Sequence, residues 1–141
     1  MDNFIFPSKD NFKIFIEVVK ETNHSIEKYL PPINADWYNI VSESIEYIQS
    51  TYLYEQNKNI HVVLSRILYK LAKKHELGDG NKRTTIIAVV LTSIINDYFV
   101  LSPEKLKYLV KRVAKTKGRI NEEIIKNRIA KELEKIILPF N

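Results

Sequence analysis

Apolar residues recur at helical spacing along most of this chain. Behind an apolar arm at Phe4, Ile5 and Phe6, Ser8 stands where a helix cap belongs. The predicted helix runs to about Glu21, with Phe12, Phe15, Ile16 and Val19 on one face. Thr22 to Tyr29 reads as a further short helix. Leu30-Pro31-Pro32-Ile33-Asn34 then breaks the pattern, because each proline pushes the residue before it toward extended geometry. A long amphipathic helix is predicted from Ala35 to about Glu55, with Trp37, Val41, Ile45, Ile48 and Tyr52 as its inner stripe. After the polar linker Gln56–Asn59, Ile60 to Lys74 turns Val63, Ile67, Leu68 and Leu71 inward.

Thr84 to Asn96 is apolar nearly all round. Its β-branched residues suit a strand, but it is longer than strands usually are. A helix buried by its neighbours on most sides is the better expectation. Asn96 to Val100 turns the chain. Ser102, Pro103 and Glu104 open a helix whose inner face is Leu106, Leu109, Val110 and Val113, ended by Lys117-Gly118-Arg119. Asn121 caps a last helix, with Ile124, Ile125, Ile129, Leu133 and Ile136 inward and Pro139 as its stop. The expected fold is all-α: one compact helical domain over 1–141, built around the buried helix.

Composition changes this picture little. At 141 residues and 45% hydrophobic content the chain can bury a real core. It has no cysteine, which excludes disulfides and thiolate metal sites. Met1 to Pro7 does not read as a secretory signal, and no apolar run is long enough for a membrane span, so a cytoplasmic location is expected. The net charge of +5 is uneven: residues 1–100 hold 11 Lys/Arg and 12 Asp/Glu, residues 101–141 hold 11 and 5. The basic last third can meet nucleic acid, an acidic partner or water.

Candidate chemistry concentrates between the helix ending near Lys74 and the buried helix. The stretch reads His75-Glu76-Leu77-Gly78-Asp79-Gly80-Asn81-Lys82-Arg83-Thr84. A helix start exposes unpaired N–H groups and partial positive charge. Gly80 permits close approach of the backbone to an anion, and Lys82 and Arg83 add positive charge there, so phosphate is the expected guest. Asp79 makes sense against phosphates if it holds a bridging divalent cation. His75 is placed to act as a general base near neutral pH. A Walker-type loop is excluded, since the glycine-rich run and preceding strand are missing.

This stretch resembles the active-site loop of the Fic/Doc family, His-x-Phe-x-Asp/Glu-Gly/Ala-Asn-Gly/Lys-Arg. His75, Asp79, Gly80, Asn81, Lys82 and Arg83 match position by position, with Leu77 in place of the usual Phe and Glu76 where Pro or Ala is common. Lys82, instead of Gly, is similar to the Doc (death-on-curing) branch. The resemblance covers about residues 60–137 and is most specific at the loop. It implies an ATP-dependent protein phosphotransferase, a toxin that moves the γ-phosphate of ATP to a threonine of an elongation factor of the Tu type. By the same resemblance His75, Lys82 and Arg83 are catalytic. Gly80, Asn81, Lys82 and Arg83 receive phosphate, Asp79 binds Mg²⁺, and an antitoxin is the restraining partner.

Two other functions stay open on the sequence. Fic-type transfer of AMP to a protein hydroxyl uses the same histidine and metal site. Against it, the second arginine common in that branch falls at Ile86. Thr51 and Glu55 have the spacing of that branch's inhibitory segment, but Gln56 breaks it. A basic DNA-binding regulator is the non-enzymatic alternative, since two Lys/Arg-rich helices around Gly118 resemble a helix-turn-helix. The last helix shows no base-reading set, so direct DNA contact is the weaker expectation. His24 and His61 read as surface or packing residues.

Overall fold

A computed structural model describes residues 4–55, 58–74, 80–116 and 121–140. The helices are α1 (Lys9–Glu21), α2 (Ala35–Tyr52), α3 (Ile60–Ala72), α4 (Gly80–Ile95), α5 (Pro103–Lys115) and α6 (Glu122–Ile136). A 3-10 helix, Ser25–Tyr29, lies between α1 and α2, and two short strands, β1 (Tyr98–Val100) and β2 (Ile137–Pro139), complete the described elements. The fold is all-α. No helix among the described residues is long and apolar enough to cross a membrane.

Local chemistry sets the helix ends. Ser8 and Asn11 form a capping box, and Asn34, Ser102 and Asn121 accept first-turn N–H groups of α2, α5 and α6. The end of α1 is a Schellman turn. His24 N donates to Val19 O and Asn23 N to Lys20 O, with Asn23 in the left-handed region at φ 50°. Asparagine tolerates that region better than most residues.

α2 and α3 end a little before the sequence pattern predicts, at Tyr52 and Ala72 rather than near Glu55 and Lys74. The chain there tightens to three-residue hydrogen bonds: Glu55 N donates to Tyr52 O at 3.1 Å, and Lys74 N to Leu71 O at 3.2 Å. α5 ends at Lys115, and Lys117-Gly118-Arg119 lies outside the described residues.

Helix α4 runs through the centre. It packs on α3, α5, β1 and the 3-10 helix, while α3 also packs on α2, α5 and α6. Every residue from Thr84 to Ser93 is buried. Such burial would strand the hydroxyls of Thr85, Thr92 and Ser93. Each instead donates to the carbonyl four residues back, at 2.7 Å.

Two corrections concern the chain from Tyr98 onward. Tyr98–Val100 is not a plain turn: it pairs antiparallel with Ile137–Pro139, Phe99 opposite Leu138. α6 therefore stops at Ile136, and Pro139 sits inside β2 instead of terminating the helix. Three-residue strands are too short to show a period of two, so the pattern could not reveal them. A two-stranded ribbon has only edges, where a missing N–H is tolerated. The second correction is Ile124, which is 48% exposed rather than inward. The buried face of α6 runs through Ile125, Ile129, Leu133 and Ile136, and Ile124 lies about 100° away from Ile125 around the helix.

Candidate active site at the start of α4

Of the residues the sequence singles out, His75 and Asp79 lie outside the described residues, with Glu76, Leu77 and Gly78. Gly80, Asn81, Lys82 and Arg83 form the first turn of α4. That turn divides cleanly. Asn81 is buried at 7% exposure, whereas Lys82 and Arg83 are exposed. Consecutive helical residues are about 100° apart, so the two cations cover neighbouring sectors of the solvent side. The first-turn N–H groups have no carbonyl of their own helix to pair with, and they carry the positive end of its dipole. Gly80 lacks a Cβ that would hold an incoming oxygen away from them. Amides and two cations thus gather at one helix end, an arrangement that suits phosphate oxygens.

The turn is anchored from behind. Thr84 is fully buried, and its Oγ1 accepts a 2.7 Å hydrogen bond from Nε1 of Trp37 in α2. Trp37 is itself 1% exposed and packs edge-on against Phe12 and Tyr38. The Thr85 hydroxyl, donating to the Asn81 carbonyl, adds a second tie within the turn. Sequence reading identifies Trp37 as core but not as a hydrogen-bond partner. The only available signal is that a buried indole must place its N–H somewhere.

The other residues weighed for chemistry have structural partners. His61 is held at the start of α3, its Nε2 2.8 Å from Ile137 O and its ring edge-on to Tyr98. His24 accepts the Ile26 N–H at Nδ1 and caps the 3-10 helix. Glu55 is engaged by Arg66 at 3.0 Å, and Thr51 donates to the Ile48 carbonyl. The paired faces of α5 and α6 that the helix-turn-helix resemblance concerns carry the buried Leu109, Val113, Ile129 and Leu133, so these two helices are part of the core.

No protein-family model, no curated protein and no solved structure matches this chain.

Proposed function

We propose that the protein transfers the γ-phosphate of ATP to a hydroxyl of a protein, with the Doc branch of the Fic/Doc family as the nearest chemical parallel. The observation that carries this reading is the coincidence of motif and helix start. The residues that the resemblance gives to phosphate binding, Gly80 to Arg83, form the exposed-end turn of a helix otherwise buried from Thr84 to Ser93.

His75 would take the proton of the attacking hydroxyl as the new O–P bond forms. The bond from the γ-phosphorus to its bridging oxygen breaks, and ADP leaves. The amides at the start of α4 would receive phosphate oxygens, and Lys82 and Arg83 would offset the charge that gathers on the leaving side. Asp79 would hold Mg²⁺, which when bound screens the charge of the phosphate oxygens. An acceptor threonine on an elongation factor of the Tu type, and an antitoxin partner in the cytoplasm, belong to the same reading.

ATP labelled separately at its α and γ phosphates, incubated with the protein and a bacterial lysate, tests the reaction. γ-Label on a threonine, lost with His75→Ala, is expected. α-Label on the target identifies nucleotide transfer instead and overturns the kinase assignment. Transfer at the parent rate by His75→Ala removes that residue as the base.

A further inference from the structure

We propose that the cleft between α2, α3 and the start of α6 binds a compact molecule carrying two or more phosphate groups. The cleft has a volume of about 350 Å³, within the range of small-molecule sites. Arg66, Lys70, Lys73, Lys74 and Lys126 line it, and among the described lining residues Glu122 is the one carboxylate. Arg66, Lys70, Lys73 and Lys74 follow one another along α3 and its end, and the fold brings Lys126 of α6 beside them.

Their positions are partly fixed. Lys70 Nζ lies 4.2 Å from the centre of the Tyr47 ring, and Lys126 Nζ 5.2 Å from that of Tyr69. Cation–π contact keeps both ammonium groups beside the cleft. Lys126 also meets Glu122 at 3.6 Å and Glu123 at 4.0 Å, and the Lys73 ammonium donates to the Thr116 carbonyl. Arg66 pairs with Glu55 at 3.0 Å and Glu123 at 2.9 Å. Among the described residues, Arg66, Lys70, Lys73 and Lys126 alone outnumber the three carboxylates of Glu55, Glu122 and Glu123.

A second observation is independent of this charge. Nη1 of Arg66 is buried and has no hydrogen-bond partner among the described residues. A buried donor left unpaired is unfavourable, and a guanidinium is well suited to phosphate oxygens.

The shape of the charge selects the ligand. The adjoining cleft, about 330 Å³, shares Arg66 and Lys126 but is lined by Glu55 and Glu123. An extended polyanion running on from the cationic end would meet these carboxylates, whereas a compact polyphosphate would not. None of His75 to Arg83 is needed, so failure of this proposal leaves the phosphotransfer reading standing, and the converse holds.

Inorganic tripolyphosphate, titrated into the full chain at low ionic strength and followed by amide chemical shifts, is the test. Shifts centred on Tyr47, Tyr69, Lys70 and Lys126 are expected. Replacing Lys70 and Lys126 together by Ala should weaken that binding by about tenfold or more. Replacing Lys82 and Arg83 by Ala should leave it unchanged. Shifts confined to residues 80–83, or equal affinity in the Lys70→Ala/Lys126→Ala variant, overturn the proposal. So does an octanucleotide single strand that perturbs the same residues with higher affinity than tripolyphosphate. The mapping on the unaltered chain decides the matter even if the double variant does not fold.

Discussion

Replacing Thr84 by Val tests whether the Trp37 anchor fixes the start of α4. Valine matches threonine in shape, so the substitution removes the acceptor without opening a cavity. The indole N–H of Trp37, 1% exposed, is then left without its acceptor in a buried site. A neutral hydrogen bond contributes about 1 kcal/mol net, but stranding a buried donor costs about 1–3 kcal/mol. Domains of this kind are stable by roughly 5–15 kcal/mol, so Thr84→Val should fold. Its melting temperature should fall by about 3–9 °C, taking roughly 3 °C per kcal/mol for a chain of this size. Urea unfolding of the parent, Thr84→Val, Trp37→Phe and the double variant measures the coupling. Trp37→Phe alone removes ring contacts as well as the donor, so only the cycle isolates the bond. An interaction energy of about 1–2 kcal/mol is expected. Additive single effects would show that the 2.7 Å contact contributes nothing to stability. Under the proposed function, Thr84→Val should also slow transfer by more than its lost folded fraction explains, since misplacement of about 1 Å can cost a hundredfold.

Asn96→Ala should release the N-terminal arm: its amide bonds both Ile5 N and Ile5 O at 2.8 Å, and also the Thr92 carbonyl. Faster hydrogen exchange at Ile5, with a stability loss of about 1–3 kcal/mol, is the expected result. Ile87→Ala, in the fully buried middle of α4, should cost about 2–5 kcal/mol in urea unfolding. The Glu104 carboxylate is held below its ordinary value near 4.5, first by the Tyr29 hydroxyl and then by Lys28. A depressed carboxylate stabilises the fold above its unfolded value and loses that contribution as pH falls through the folded one. Tyr29→Phe should therefore raise the Glu104 titration seen by NMR toward 4.5, and its stability deficit should shrink below that pH.

Much of the fold was legible because the helices announce themselves by period and cap. Ser8, Asn34, Ser102 and Asn121 all stand at the helix starts the pattern predicts. The buried helix was legible from the run Ile86–Leu91, where no polar face exists to turn toward water. What could not be read depends on partners distant in sequence. Tyr98–Val100 becomes a strand only because Ile137–Pro139 returns beside it. Likewise, nothing near Asn96 says that its amide will bond the backbone of Ile5, and nothing near Thr84 points to Trp37. Of the candidate site, the inward Asn81 and outward Lys82 and Arg83 do not follow from helical phase, because the residues four places on, Thr85, Ile86 and Ile87, are all buried alike.

The resemblance that suggests a function begins near residue 60, yet the helix that carries its phosphate-binding turn is tied at both ends by residues before that point. Trp37 anchors Thr84 near the start of α4, and Ile5 meets Asn96 just after its end. Both ties are polar and directional, while the contacts along the middle of the helix are apolar and fix no register by themselves. Apolar packing holds a helix tightly but without direction, whereas a hydrogen bond from a buried indole to one particular threonine also fixes which way that turn faces. The first part of the chain, which carries no recognisable chemistry of its own, therefore helps set where Gly80, Lys82 and Arg83 stand, together with α3 and α5. A chain beginning at Ile60 would lack both ties and the packing of α2 on α3, so the motif alone is not the unit that could work.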